Sequence, residues 1–425
     1  MLPQRGQAQA VPSDRGGEKS LLQKTAPEPL VVRDQTNWGM LALGWTIYFS
    51  FGMGVASLVP LVSIIKVELD LSYTQLGIVL GAWQLVFMAT AAPAGWLIDR
   101  LGPKRVLVVS ALVIAVAITL RSTAYGFPML LFSVACFGIG GPLTAVGLAK
   151  LVADWFTGMS RGLASGIYIT GAAAGIALVL ALTHPVILPL TGGWRQAHIL
   201  YGAIAFAIAV VWLIFGRDSP QNLSDRKLSK ETKAKASYWQ VITQPAVWMV
   251  VLVGFAGFLA NHGVRNWLPE ILEHAGVSPT NAGFLSAMPA LTGIVGSIAV
   301  LRLATRRADA RLPTIVALLV VSALTILTIV FAEGWLLVLA IAVEGFCAAA
   351  LAPLMLNTLM EMPSVGAKNT GAAAGLYFSI GELGGTLGPL IMGIAADLTG
   401  SFVAGMVLVA SIVAAMIVPA LRIRT

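Results

Sequence analysis

The sequence predicts an all-α membrane protein of twelve transmembrane helices, arranged as two six-helix bundles. Three observations support this fold class: the composition, the number of long apolar segments, and the positions of the basic residues. Of the 425 residues, 57% are hydrophobic and only 11% are charged, whereas a soluble domain is roughly 25% charged. Because so few charges cannot cover a water-facing surface, lipid is expected to be the main solvent.

Twelve apolar segments are long enough to cross a bilayer, for which a helix needs about 20 residues. Glycine and proline within them are acceptable, since neighbouring helices satisfy the freed backbone groups. The segments cover residues 38–65, 74–98, 105–121, 127–149, 162–183, 197–216, 246–268, 281–301, 313–331, 335–357, 370–394 and 402–421.

The basic residues predict the orientation of the helices. With the N-terminus inside, 23 of the 27 Lys and Arg residues fall on the inner side and 4 on the outer side. Cytoplasmic loops of membrane proteins are enriched in Lys and Arg. We therefore expect a multi-pass protein of the inner (plasma) membrane with both termini in the cytoplasm.

The chain divides into four regions. Residues 1–36 are polar, lack an apolar signal-peptide core, and are expected to form a disordered cytoplasmic tail. A polar stretch at 217–244 is expected to be a cytoplasmic linker, with at most one surface helix. It separates an N-terminal bundle (37–216) from a C-terminal bundle (245–425).

Two short internal matches indicate that the bundles are duplicated units. Residues 72–77 (SYTQLG) match 278–283 (SPTNAG), and 164–168 (ASGIY) match 373–377 (AAGLY). The offsets, 206 and 209 residues, are nearly equal. Repeats of this kind are typical of paired transporter halves.

Several function classes are excluded or disfavoured. The net charge of +8 is explained by the inner loops, and no basic patch interleaved with aromatics predicts nucleic-acid binding. Cys136 and Cys347 lie in apolar segments and have no disulfide or metal spacing. No phosphate-binding glycine loop, paired-histidine zinc motif or catalytic triad occurs, so we expect neither an enzyme nor a cofactor.

The most specific motif lies between the second and third segments, at residues 95–105 (GWLIDRLGPKR). Gly95 is expected to allow close helix approach, and Asp99 to cap a helix start and pair with a cation. The basic residues are expected to anchor the loop at the anionic inner leaflet. The motif positions are Gly95, Asp99, Arg100, Gly102, Lys104 and Arg105.

This stretch resembles the loop motif G-x-L-x-D-R-x-G-x-K/R-K/R of the major facilitator superfamily. The resemblance implies that the loop gates a conformational change without contacting substrate. In the second half only basic character remains, at Arg306, Arg307 and Arg311. Residues 154–162 (DWF…RG), 384–389 (GGTLGP) and 397–402 (DLTGSF) also resemble the family, so the likeness spans nearly all of residues 38–421.

The seventh segment carries a polar cluster that is a candidate substrate site. Asn261 and Arg265 share one helix face, as do His262 and Asn266. Arg265 could bind an oxyanion through its planar fork; the alternative is that it extends to the outer surface. The Trp-Leu-Pro sequence that ends the segment at Pro269 weakly resembles cyanate-type and other bacterial anion porters.

Other charged and polar residues in or near the apolar segments also have expected positions. The acids Glu270 and Glu273 follow Pro269 and are expected beyond the helix, in water. Arg121 and His184 are expected at the membrane interface. Further substrate-binding candidates in other segments are Tyr48, Gln84, Tyr168 and Tyr377, each with packing as the alternative.

Two acids lie near the middle of helices and are candidates for proton coupling. Ionisable groups within the bilayer are costly and therefore functional candidates. Glu344 lies in the tenth segment and Glu382 in the eleventh. Glu382 is preferred, because the neighbouring Gly381 and Gly384 are expected to keep a cavity open. The alternative is that each carboxyl is merely structural.

These patterns predict a monomeric secondary transporter that works by alternating access. Its expected partners are a small-molecule anion as substrate, the lipid bilayer, and a proton or other coupling ion. One alternative is an efflux antiporter for amphipathic compounds, although the glycine-proline pattern of many drug antiporters is absent from the fifth segment. The other is a non-transporting scaffold or sensor.

Overall fold

The computed structural model describes residues 36–219, 238–306, 308–363 and 365–423. Helices are the only regular secondary structure in these ranges, and twelve of them are long and apolar enough to span a membrane. We number these spans α1 to α12: Trp38–Glu68, Tyr73–Leu101, Pro103–Arg121, Phe127–Trp155, Gly158–Thr191, Trp194–Phe215, Pro245–His274, Pro279–Ala304, Arg311–Phe331, Gly334–Glu361, Asn369–Thr399 and Val403–Ala420. The predicted fold class is confirmed.

Local sequence explains where α2 begins and ends. Ser72 and Gln75 form a capping box, in which each side chain accepts a hydrogen bond from the other residue's backbone N–H,. At the other end, Gly102 has φ 84°, a conformation that a side chain would strain. This glycine allows α3 to start immediately at Pro103.

Two spans contain irregular turns. In α1, a 3₁₀ turn at Val59–Leu61 separates the helices Trp38–Ala56 and Val62–Glu68. In α5, a π turn at Thr183–Ile187 follows the helix Gly158–Leu182. Both turns are toward the end of the molecule that carries Glu68, which we call the outer end; the end that carries Trp38 is the inner end.

Helices of the first and second halves pack against each other closely at the outer end. A Cβ placed at Gly77 or Gly81 of α2 would lie 2.5 Å from the Pro389 carbonyl oxygen or 2.7 Å from that of Thr386, both on α11. On the opposite side, a Cβ at Gly283 of α8 would lie 2.3 Å from the Leu180 carbonyl oxygen on α5. Small residues bring these backbones into contact.

The inner ends of the same helices are separated. Hypothetical Cβ atoms at the glycines toward the inner ends of α2, α5 and α11 would meet no atom within 4 Å; these glycines are Gly95, Gly162, Gly166, Gly371 and Gly375. The expected close helix approach at Gly95 is therefore wrong for this conformation, because α2 packs on α3 and α4 through Ala94 and Ile98 and the Gly95 face has open space. The molecule is closed at its outer end and open at its inner end.

The seventh helix is longer than its sequence indicates. It continues through Pro269 to His274, so the expectation that Glu270 and Glu273 lie beyond the helix is wrong. Glu270 is 4% exposed, and Tyr73 of α2 donates a hydrogen bond to its Oε1 at 3.1 Å. Neighbouring helices tolerate a proline in a membrane helix, and α2 covers this end of α7.

Arg121 lies inside the first half rather than at the membrane interface, which corrects that expectation. It is 2% exposed, and its Nη1 donates to the carbonyl oxygen of Gly54 at 2.7 Å and to the Ser57 hydroxyl. Its guanidinium also lies 5.1 Å from the centre of the Phe137 ring. These α1 and α4 contacts explain the burial, since backbone carbonyls and an aromatic face stabilise a cation.

Two predicted regions fall mostly outside the described residues. Of the expected tail at 1–36, only residue 36 is described; of the linker at 217–244, residues 217–219 and 238–244 are described. The latter include a five-residue helix, Tyr238–Ile242. The division into two bundles stays a prediction.

Candidate functional site

A central cavity of about 580 Å³ extends toward the inner end between α1, α5, α7, α8 and α10. Tyr48 and residues 166–176 line one side, and residues 289–302 of α8 line the other. Arg265 of α7 lies at the deep end, whereas Arg302 lies near the inner end of α8. A cavity of this size is suitable for a small organic molecule.

Arg265 is the most distinctive group of the cavity. Its side chain is partly exposed to the cavity, and among the described residues it has no hydrogen bond or ion pair. A guanidinium within the bilayer is costly without a partner. Because its side chain lines the cavity, Arg265 does not extend to the outer surface. It presents an unpaired cation to any molecule that enters the cavity.

The other polar side chains of the cavity wall already have partners, with one exception. Ser297 donates to the carbonyl oxygens of Gly293 and Ala349, both at 2.9 Å. Thr170 donates to a backbone carbonyl in its own helix and accepts from Trp45, and Arg302 interacts elsewhere in the chain. The Tyr48 hydroxyl, by contrast, has no hydrogen bond among the described residues.

A second, smaller pocket of about 20 Å³ lies on the other side of Arg265. Asn261 and Glu344 also line it. Glu344 is 4% exposed and accepts hydrogen bonds from Ser322 at 3.0 Å and Thr325 at 2.7 Å, both on α9. The pocket could hold one water molecule. Arg265 and Glu344 line it together, but they do not form an ion pair with each other.

The other coupling candidate, Glu382, lies in tightly packed protein. It is 9% exposed, and its Oε2 has no hydrogen-bond partner among the described residues. The expectation that glycines keep a cavity open beside it is wrong: a Cβ at Gly384 would lie 2.4 Å from the Phe255 carbonyl oxygen, and one at Gly381 would lie 3.0 Å from the Phe258 ring. These glycines let α7 and α11 touch.

His262 and Gln84 meet beside Glu382 but do not line the cavity. Gln84 Nε2 lies 3.2 Å from His262 Nδ1 and donates to the Gly385 carbonyl oxygen at 3.3 Å. A Cβ at Gly385 would lie 3.0 Å from the His262 ring and 3.5 Å from Glu382 Oε2. These three polar side chains connect α2, α7 and α11 in a buried junction.

The two tyrosines at equivalent sequence positions have different environments. Tyr168 is half-buried, with its ring centre 5.7 Å from that of Tyr48. Tyr377 is fully buried, packs against Gly254, and donates to the Ala352 carbonyl oxygen at 3.1 Å. A substrate-binding position for Tyr377 is therefore wrong in this conformation, because α7 and α10 enclose its side chain.

The predicted gating loop lies at the inner end, away from the cavity wall. Asp99 is exposed in the last turn of α2 and interacts with another part of the chain. The N–H of Lys104 instead donates to Asp218 Oδ1 at 2.9 Å, and Trp212 of α6 donates to the Lys104 carbonyl oxygen at 3.0 Å. Sequence reasoning missed Asp218, since a carboxylate that caps a helix 114 residues away has no local pattern.

The outer closure contains a second residue that sequence reasoning did not assign. Asp397, near the end of α11, accepts hydrogen bonds from the N–H groups of Tyr73 at 3.0 Å and Thr74 at 2.7 Å, in the first turn of α2. The Tyr73 hydroxyl also lies 3.1 Å from His274 Nε2 on α7. The DLTGSF sequence at 397–402 was the available signal, although it did not show which helix the carboxylate contacts.

The described part of the chain thus contains twelve helices long enough to span a membrane, a central cavity and a closure at the outer end. The Major Facilitator Superfamily model matches residues 44–389 and 268–425. The chain belongs to the Major Facilitator Superfamily. The predicted family is thus confirmed, and the protein is a membrane transporter rather than an enzyme.

Among curated relatives, the probable sulfoacetate transporter SauU of Cupriavidus necator is 28% identical over 273 residues, or 61% of this chain and 62% of that protein. The uncharacterized transporter YycB of Bacillus subtilis is 26% identical over 399 residues, covering 92% and 94%. The probable galactarate/D-glucarate transporter GudP of Bacillus subtilis is 25% identical over 381 residues, covering 80% and 82%.

The fold is also similar to a solved structure. A bacterial homologue of the human lysosomal transporter Spinster, in an inward-facing and occupied conformation, superposes with a TM-score of 0.73. The match covers 91% of this chain and 97% of the other at 16% identity. This likeness supports the major facilitator fold of the present chain.

Proposed function

We propose that this transporter moves a small organic or inorganic anion by alternating access, with Arg265 as the group that binds the anionic head. The single observation that carries the proposal is the unpaired guanidinium at the deep end of the cavity. An oxyanion would supply the two acceptors that a guanidinium fork prefers. Relatives named for sulfoacetate and galactarate/D-glucarate transport support the same substrate class.

Alternating access is supported by the asymmetry between the two ends. Glycine contacts close the outer end, and the glycines near the inner end have open space. A site at the deep end of such a cavity becomes reachable from the outer end when the halves rock about it. Coupling to protons would use one of the two buried carboxyl groups, Glu382 or Glu344, as the proton-binding group.

The experiment is a comparison of purified wild-type protein with Arg265→Ala and Arg265→Lys. Hexanoate, sulfoacetate, D-glucarate and nitrite are added as probes. Binding is read as a rise in melting temperature, since a ligand that binds the folded state stabilises it by mass action. Truncating one partner of a desolvated charge pair costs about 2–5 kcal/mol. We therefore expect more than a tenfold loss of affinity in Arg265→Ala and a smaller loss in Arg265→Lys, which keeps the charge but not the fork.

A matched control is Arg422→Ala, which removes the same charge from an exposed position near the inner end. It should bind every probe as wild type does. Exchange of the best probe across proteoliposomes then tests transport without assuming a direction. Anion binding that is equally tight in Arg265→Ala would remove the main support for the proposal.

A second candidate function is efflux of amphipathic compounds, which is favoured by the apolar character of the cavity wall. Isoleucines, alanines, prolines, glycines and one leucine of α5, α8 and α10 form most of that wall. An efflux antiporter of this type would bind neutral or cationic amphipaths, and such binding would not be weakened in Arg265→Ala. Binding of a neutral or cationic amphipath alone would favour this second function.

A further inference from the structure

The chemistry of the cavity wall restricts the anion further than its charge does. Resting on the proposed function of Arg265, we infer that the substrate is an amphipathic monoanion: one anionic head on a largely apolar body, with few or no hydroxyl groups. The observation is a cavity with one unpaired guanidinium at its deep end and almost no other free hydrogen-bonding side chain.

Few polar side chains that face the cavity are free to bind a substrate. Ser297 and Thr170 use their hydroxyl protons on backbone carbonyls, and Arg302 interacts within the chain. Among the described side chains of the wall, that leaves Arg265 and the Tyr48 hydroxyl without a partner. Two polar groups can satisfy one carboxylate or sulfonate, but they cannot also satisfy a row of hydroxyls.

The rest of the cavity surface is mostly apolar. Ile169 and Ile176 of α5 and Ile294 and Ile298 of α8 line the same cavity as Arg265. A substrate whose head contacts Arg265 therefore places its body between these side chains. Apolar groups gain by this burial, whereas a hydroxyl that loses water without a new hydrogen bond is penalised.

The cations of the wall also limit the charge of the substrate. A dianion with a carboxylate at each end would need a second cation beyond the isoleucines. Arg302, at the inner end of the wall, is exposed but interacts within the chain, so a second anionic group would have to compete for it. The wall thus provides for one anionic head, and the predicted body is apolar along its whole length.

The test uses pairs of acids with the same carbon skeleton and charge. Cyclohexanecarboxylate is compared with quinate, its tetrahydroxy derivative, and hexanoate with gluconate, its pentahydroxy derivative. Cyclohexylmethanol is the neutral analogue. Binding is measured by isothermal titration calorimetry on protein in lipid nanodiscs, with empty nanodiscs to subtract partitioning into lipid.

We expect wild-type protein to bind each apolar acid at least tenfold more tightly than its hydroxylated partner. We also expect Arg265→Ala to lose at least tenfold in affinity for the apolar acids. The variant Ile298→Asn places a polar side chain in the wall and leaves Arg265 unchanged. It should reduce the difference in binding affinity between each apolar acid and its hydroxylated partner. Melting temperature and gel filtration confirm that each variant is folded.

The outcomes separate the two proposals. Quinate or gluconate binding as tightly as its partner, in an Arg265-dependent manner, would overturn the amphipathic substrate class while the anion site stands. Cyclohexylmethanol binding as tightly as the acid would overturn the anion site itself. So would binding that is unchanged in Arg265→Ala. The absence of binding by all four acids, with sulfoacetate or nitrite still bound through Arg265, would overturn the amphipathic substrate class while the anion site stands.

Discussion

Removing the carboxylate of Asp397 should weaken the outer closure while leaving the cavity unchanged. Asp397 accepts hydrogen bonds from two N–H groups in the first turn of α2, so a helix of the second half caps a helix of the first half. Its negative charge also lies at the positive end of the α2 dipole. The variant Asp397→Asn keeps the size and one acceptor oxygen but removes the charge.

The expected magnitude follows from the geometry and the exposure of the group. Loss of an N-terminal cap costs about 0.5–2 kcal/mol, and a charge near a helix N-terminus contributes about 0.3–1 kcal/mol. Because Asp397 is exposed to solvent, we expect about 1 kcal/mol. Since 1.4 kcal/mol is a factor of ten in an equilibrium constant, the ratio of outer-open to outer-closed molecules should rise about fivefold.

The assay is a distance measurement between two spin labels at the outer end. Leu190 and Trp335 are 75% and 76% exposed, lie in different halves, and can carry the labels after Cys136 and Cys347 are replaced by alanine. Asp397→Asn should increase the population at the longer distance by double electron–electron resonance.

The matched control for this measurement is Asp70→Asn. It removes the same charge near the start of α2, and Asn tolerates the positive φ of 49° at this position,. It should leave the distance distribution unchanged. Equal shifts in the two variants would show that general outer-surface charge, and not the cap on α2, controls the closure.

Three further predictions concern coupling, gating and topology. Glu382→Gln should abolish proton-driven accumulation in proteoliposomes but retain substrate exchange. If accumulation is normal, the same assay on Glu344→Gln tests whether that residue binds the proton. Normal accumulation in both variants would show that neither carboxyl group couples transport to protons. Asp99→Asn should insert and fold normally yet slow transport, and uptake equal to wild type would contradict the gating role implied by the family motif. In intact cells, an impermeant thiol reagent should label a cysteine at position 275 but not one at position 230, and labelling at 230 would refute the proposed orientation.

The spanning helices could be predicted from the sequence because bilayer thickness sets their length and their apolar composition. Errors arose where a local rule depended on the neighbours of a helix. Pro269 predicts a helix end in water, but α2 packs over the last turn of α7 and supplies Tyr73 as a partner for Glu270. Arg121 has the sequence position of an interfacial residue, yet the carbonyl of Gly54 accepts from it within the first half.

The candidate site was predicted in part. Arg265 was identified because a cation in an apolar helix is costly, and the structure places it at the cavity. Tyr48 also lines that cavity, but Gln84, His262 and Tyr377 lie in packed junctions between helices. Sequence spacing shows which residues share a helix face; it does not show whether that face meets a cavity or another helix.

The contact between α7 and α11 has a mechanical consequence. Their backbones touch at Gly263 and Gly388, where a Cβ on Gly388 would lie 2.2 Å from the Leu259 carbonyl oxygen. Helices that pack this closely cannot slide past each other without losing that contact. We therefore expect α7 and α11 to move as one rigid body during transport. Arg265 lies on α7 and Glu382 on α11. The distance between their backbones should therefore stay constant throughout the cycle. For the proposed anion site at Arg265 and proton site at Glu382, the groups whose distances would change during the cycle therefore lie on the neighbouring helices: Gln84 on α2 and the α8 and α10 walls.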